Sequence, residues 1–81
     1  MTVRVRFFAG LRERVGRTDL VWSVEPGTSV QELWEGLCKA FPVLNDSGGR
    51  VAFAVNREYV DRFHTLDDND EVAMIPPVSG G

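Results

Sequence analysis

Apolar and polar residues alternate from Thr2 to Phe8, with Val3, Val5 and Phe7 on one face and Arg4 and Arg6 on the other. A period of two puts alternate side chains on opposite faces, so this stretch predicts a half-buried strand. Phe8 falls out of phase with the three apolar residues and is expected to point away from the face they bury. Gly10–Val15 is short and helix-prone, and Gly16 suits a left-handed stop. Alternation returns over Thr18–Val24, with Leu20, Trp22 and Val24 in phase, and the first two strands are expected to pair. Glu25-Pro26-Gly27-Thr28 has Pro and Gly at the second and third positions of a type II turn. Thr28 with Gln31, or Ser29 with Glu32, fits a capping box. Val30, Leu33, Trp34, Leu37 and Phe41 then recur at helical spacing on one stripe. Pro42 stops that helix, and Gly36 inside it suggests close packing.

The second half is read the same way. Leu44–Arg50 is expected to be a loop, with Asn45–Gly49 supplying turn chemistry. Val51–Val55 is apolar throughout and predicts a strand buried on both faces. Asn56-Arg57 is a turn before a short strand at Glu58–Val60. Asp67-Asp68-Asn69-Asp70 is a tight turn, and Glu71–Ile75 is the last strand. In that strand Val72 and Met74 share one face, so Ala73 and Ile75 take the other. The order β β α β β β, with one long helix over a mixed sheet, describes an α+β roll. If the first and last strands pair at its centre, the pairing is parallel and needs the helix as a crossover.

Eighty-one residues make one small domain. No apolar run approaches 18 residues, so no membrane span is expected, and the start lacks the apolar stretch of a signal peptide. One cysteine excludes an internal disulfide and any Cys-based zinc site; a cytoplasmic location is the default expectation. The net charge of −3 and pI near 5.0 argue against a nucleic-acid binder. Cys38 lies about 80° from Val30 around the helix, at the edge of the apolar stripe, and is read as a core-boundary thiol. His64 has no Cys or carboxylate at a clean ligand spacing, and Asp67–Glu71 lacks the calcium loop's length and glycine. Trp22 and Trp34 are in phase with the core and need no ligand.

The last six residues change the picture. Pro76-Pro77 fix φ and favour an extended course, and Gly80-Gly81 carry no Cβ. At about 3.3–3.6 Å per residue, Pro76–Gly81 reach roughly 20 Å from the fold. The expected organisation is a body over residues 1–75 and an extended tail over 76–81 that carries its carboxylate into another protein's active site.

Phe7-Phe8-Ala9 with Leu11-Arg12-Glu13 and Gly16, then Ala54-Val55-Asn56, then Asp70-Glu71-Val72-Ala73 running into Pro76-Pro77-Val78-Ser79-Gly80-Gly81 together resemble the small subunits of molybdopterin synthase, which are ubiquitin-like sulfur carriers. The resemblance covers the whole length and implies a β-grasp fold. Asn69 stands where the family often has Gly, and Asn tolerates left-handed φ. The resemblance also implies the chemistry. An E1-like enzyme adenylates the Gly81 carboxylate with ATP, a sulfur donor protein converts it to a thiocarboxylate, and Gly80 gives clearance in the partner's channel. The charged carrier joins the large synthase subunit in a heterotetramer and gives sulfur to cyclic pyranopterin monophosphate. This chain would then be a non-catalytic donor subunit that binds no cofactor or metal itself, with ATP used by its partner. Phe8, Tyr59 and Ile75 match the family's apolar partner patch. Arg12 is a candidate for an acidic partner residue, and Pro76, Pro77, Val78 and Ser79 would line the approach to the channel. Alternatives that keep the tail are a sulfur carrier for thiamine thiazole synthesis and a ubiquitin-like modifier joined to lysines. An interaction module with an incidental tail would be indifferent to loss of Gly80-Gly81.

Overall fold

The computed structural model describes residues 1–47 and 51–76. The chain forms β1 (Thr2–Phe7), α1 (Ala9–Val15), β2 (Asp19–Ser23), α2 (Val30–Ala40), a 3-10 helix (Pro42–Ser47), β3 (Ala52–Val55), β4 (Glu58–Val60) and β5 (Glu71–Ile75). The five strands make one mixed sheet in the order β2-β1-β5-β3-β4. β1 lies antiparallel to β2 and parallel to β5, in the register Val5 to Val72 and Phe7 to Met74. Parallel neighbours cannot be joined by a tight turn, and here the whole intervening chain, α2 included, makes the crossover. This is the ubiquitin-like β-grasp.

The period-two pattern decides which face is covered. Val3, Val5, Phe7, Val72 and Met74 are buried against Val30, Leu33 and Leu37 of α2. Each such side chain contributes about 1.5–3 kcal/mol when fully removed from water. Two aromatic pairs seal the edges: Trp22 with Phe41 at 6.2 Å between ring centroids, and Trp34 edge-on to Phe53 at 5.9 Å. Both tryptophans are half-buried.

Local signals set the boundaries. Gly16 takes φ 80° at the end of α1 and bonds back to the Arg12 carbonyl. Gly27 takes φ 88° in the expected turn, closed by Thr28 N–H donating to the Glu25 carbonyl at 3.1 Å. Between the two capping candidates, Ser29 is the N-cap. Its Oγ accepts from Glu32 N–H at 3.2 Å, and Glu32 accepts from Ser29 N–H at 3.0 Å.

Three expectations need correction. The segment after α2 is not a plain loop: Pro42–Ser47 is a 3-10 helix with Leu44 buried. Proline bars continuation of the α-helix but suits the first turn of a new one. The third strand is shorter than Val51–Val55, and its first residue, Ala52, is exposed. Gly36 marks no tight approach: a Cβ there would meet only Trp22 Nε1, at 3.9 Å.

The stretch from Asp61 to Leu66, which showed no period, is held by α2 itself. The first two helical N–H groups, of Val30 and Gln31, donate to the carbonyls of His64 and Arg62 at 2.9 and 2.8 Å. These donors have no partner within their own helix. Leu66 then buries its side chain in the core.

Candidate functional site

Among the described residues, no helix covers the face of the sheet opposite α2. One row across it runs Asp19, Arg6, Ala73, Ala54 and Tyr59, from β2 to β4. Beside it, Arg4 pairs with Val21 on one side and Glu71 on the other, and Ile75 pairs with Ala52. Phe8 follows β1 as the N-cap of α1 and stays extended, its N–H donating to the Met74 carbonyl at 3.3 Å.

Phe8, Tyr59 and Ile75 are therefore gathered on the open face. Phe8 is 39% exposed and Tyr59 75%; Ile75 is half-buried. Ala54 and Ala73, between them, are too small to fill the space. The result is a shallow hollow of about 300 Å³ flanked by the three larger side chains and rimmed by Arg6, Arg57 and Glu71. Arg12, on α1, is exposed but does not line it. β5 ends at Ile75, so Pro76 leaves the sheet at the rim of this hollow. Pro77, Val78, Ser79, Gly80 and Gly81 lie outside the described residues.

Charge is distributed unevenly around the rim. Glu71 lies 3.9 Å from both Arg4 and Arg6, a long double contact. The Arg6 guanidinium also sits 5.5 Å from the centre of the Phe8 ring, within cation–π range. Arg57 occupies the β3–β4 turn with φ 72°, next to Asn56 at φ 51°.

Asn56 and Asp70 form the internal brace of the site. Asp70 is buried, and its carboxylate accepts from Asn56 Nδ2 at 2.9 Å and from Asp67 N–H at 2.7 Å. Asn56 Oδ1 in turn accepts from Glu71 N–H at 3.0 Å. This ties the β3–β4 turn to the start of β5 and so fixes Arg57 relative to Glu71. The bracing was not foreseen. The only trace of it was an Asn at the turn and four polar residues before β5.

The remaining candidates lie elsewhere. Cys38 is half-buried on α2, on the covered side of the sheet. Partial burial raises its thiol pKa above the ordinary value, and the nearby Glu35 carboxylate adds to the rise. His64 is exposed. Phe63 is also exposed, stacked under Arg62 at 5.6 Å, and borders a hollow with Trp34 on the helix side. Among the described residues no group of three or more His, Cys, Asp or Glu side chains is placed to hold a metal ion, and no helix is long and apolar enough to cross a membrane.

Residues 5–81 match the ThiS family. The molybdopterin synthase sulfur carrier subunit of Chlamydomonas reinhardtii is 37% identical, with both chains covered in full. Among solved structures, SAMP1 from Haloferax volcanii superposes with a TM-score of 0.86 at 27% identity, again over the whole of both chains. A chain of the complex between subunits 1 and 2 of the molybdopterin-converting factor of Helicobacter pylori superposes at 0.72 with 27% identity, covering 100% of each. On this full-length agreement of sequence and fold, the chain belongs to the ThiS family, a ubiquitin-like β-grasp family whose members include the sulfur carrier subunits of molybdopterin synthase.

Proposed function

We propose that this protein is the sulfur carrier of molybdopterin synthesis, with Gly81 as the residue that holds the sulfur. The observation that carries the reading is the position of the apolar hollow. Phe8, Tyr59 and Ile75 surround it, and the chain leaves the sheet at its rim through Pro76. A large subunit seated there would have the tail beside it. The relative from Helicobacter pylori was solved in a complex of its two subunits, which supports a partner of that kind.

The chemistry asks little of the carrier. A terminal carboxylate, with an ordinary pKa of about 3.3–3.7, is an anion at neutral pH and a poor electrophile. An adenylating enzyme joins it to AMP from ATP and releases pyrophosphate. Sulfide delivered by a sulfur donor then attacks the acyl carbon and displaces AMP, leaving a thiocarboxylate. The soft sulfur attacks a side-chain carbon of cyclic pyranopterin monophosphate bound to the large subunit, forming a C–S bond as that carbon's C–O bond breaks and the departing oxygen takes a proton from the partner. Water next cleaves the acyl–sulfur bond and restores the Gly81 carboxylate, and two such transfers complete the dithiolene. General acids and bases are supplied by the partner; the carrier contributes a docking face, a narrow tail and the acyl group.

The test is intact and fragment mass spectrometry after incubation with ATP, the adenylating enzyme and a sulfide source. One oxygen replaced by sulfur, placed by fragmentation at Gly81, is expected. Conversion of the pterin precursor by the charged carrier plus the large subunit separates this pathway from thiamine synthesis. A plain carboxylate at Gly81 under every activating condition would overturn the reading. The likeness to SAMP1, a small archaeal modifier protein, favours one second reading, conjugation through Gly81 to lysines. A ladder of mass-shifted cellular proteins carrying this domain is its signature.

A further inference from the structure

We infer that Arg57, with Arg6 on the same rim, reads a carboxylate on the partner, so that the segment docking on the open face is an apolar residue flanked by Asp or Glu. The inference rests on the docking reading above and adds the chemistry of what docks.

Two independent observations point to Arg57. The first is conformational. Asn56 and Arg57 both have positive φ, at 51° and 72°, in a two-residue connection between β3 and β4. That geometry favours Asn followed by Gly, because Gly alone enters the left-handed region without strain. Asn56 fits the rule and Arg57 breaks it. Strain of this kind in a tightly braced turn is a mark of a residue retained for what its side chain does.

The second is electrostatic. Ion pairs among the described residues involve Arg4, Arg6 and Glu71 alone. Arg57 has none, although its side chain borders the hollow. Two guanidinium groups and one carboxylate rim that hollow, so it carries a net charge of +1 on a chain whose net charge is −3. Glu71 is shared with Arg4 and sits at 3.9 Å, too far for a tight bidentate pair with Arg6. The rim is thus positive, partly unsatisfied, and placed around an apolar floor. A carboxylate entering with an apolar side chain completes both.

The test is calorimetric titration of the purified large molybdopterin synthase subunit from the same organism with wild-type, Arg57→Gly, Arg57→Glu and Arg57→Lys carriers, at low and high salt. Arg57→Gly is the decisive variant, since it suits the turn and is expected to leave the thermal melt unchanged or higher. At low salt it should weaken binding about tenfold and flatten the salt dependence, with Arg57→Glu weaker still and Arg57→Lys intermediate. Equal affinities for wild type, Arg57→Gly and Arg57→Glu would overturn the inference while leaving the docking reading intact. Weaker binding together with a lowered melting temperature would make Arg57 a turn residue only, and would overturn it as well. A wild-type carrier that fails to bind the large subunit would remove the docking reading and this inference with it.

Discussion

Asn56 does two jobs with one amide. It donates from Nδ2 to the buried Asp70 carboxylate and accepts at Oδ1 from Glu71 N–H. Leaving a buried polar group without its partner costs about 1–3 kcal/mol, so Asn56→Ala should lower the urea-unfolding free energy by that amount. The same variant should alter docking through Arg57, whose turn it loosens. An unchanged unfolding midpoint would show that water replaces the amide. Cys38 gives a prediction with a sign. Its folded pKa lies above the ordinary value, chiefly through burial and then through Glu35, so folding favours the neutral thiol. That contribution is complete below the ordinary pKa and is lost as pH rises through the raised one. Cys38→Ala should therefore flatten the alkaline limb of the stability curve above roughly pH 9. At pH 7.5 the wild-type thiol should be alkylated more slowly than a free cysteine. Alkylation at the free-cysteine rate would mean that neither burial nor Glu35 protects it.

At the scale of elements, α2 separates what helps from what is merely tolerated. Ser29→Ala removes one side of the capping box and should cost about 1 kcal/mol. Gly36→Ala should add about 1 kcal/mol, because Ala is the better helix former and its Cβ would make only ordinary contact with Trp22. Urea melts of the two variants should move in opposite directions. The same element shows why parts of the fold were legible and others were not. Val30, Leu33 and Leu37 repeat at helical spacing and are all buried; Val3, Val5 and Phe7 alternate and are buried too. Periodic burial leaves a periodic trace. Asp61–Leu66 leaves none, because backbone carbonyls anchor it to α2 and only Leu66 is buried. Pro42–Ser47 left a single apolar anchor, Leu44, which periodicity cannot read. On the open face, alternation foretold the side of the sheet on which Phe8 and Ile75 lie. It did not foretell that Arg6, Ala73, Ala54 and Tyr59 form one row, since cross-strand register is fixed by pairing between distant segments.

For the whole molecule, the proposed docking face and the C-terminal glycines are expected to be separable by mutation. Gly81→Ala adds one methyl group, six residues after the end of β5. It should leave the thermal melt and the affinity for the large subunit within about 0.5 kcal/mol of wild type, as surface changes usually do. Sulfur transfer to the pterin precursor should fall sharply, measured as product formed per charged carrier. Normal melting with normal conversion would remove the clearance argument for the two glycines. The placement of β5 carries a consequence for how the protein is made. It is the last strand in the sequence, yet it lies between β1 and β3. Without it the remainder is two disconnected ribbons, β2 with β1 and β3 with β4, and an isolated hairpin is marginal in water. A nascent chain released early, anywhere before Glu71, lacks the strand that joins them and has no sheet on which α2 can close. The ribosome must finish β5 before the body can form, so only chains translated through the end of that strand assemble the open face of the sheet. Premature products are left unfolded and open to proteolysis.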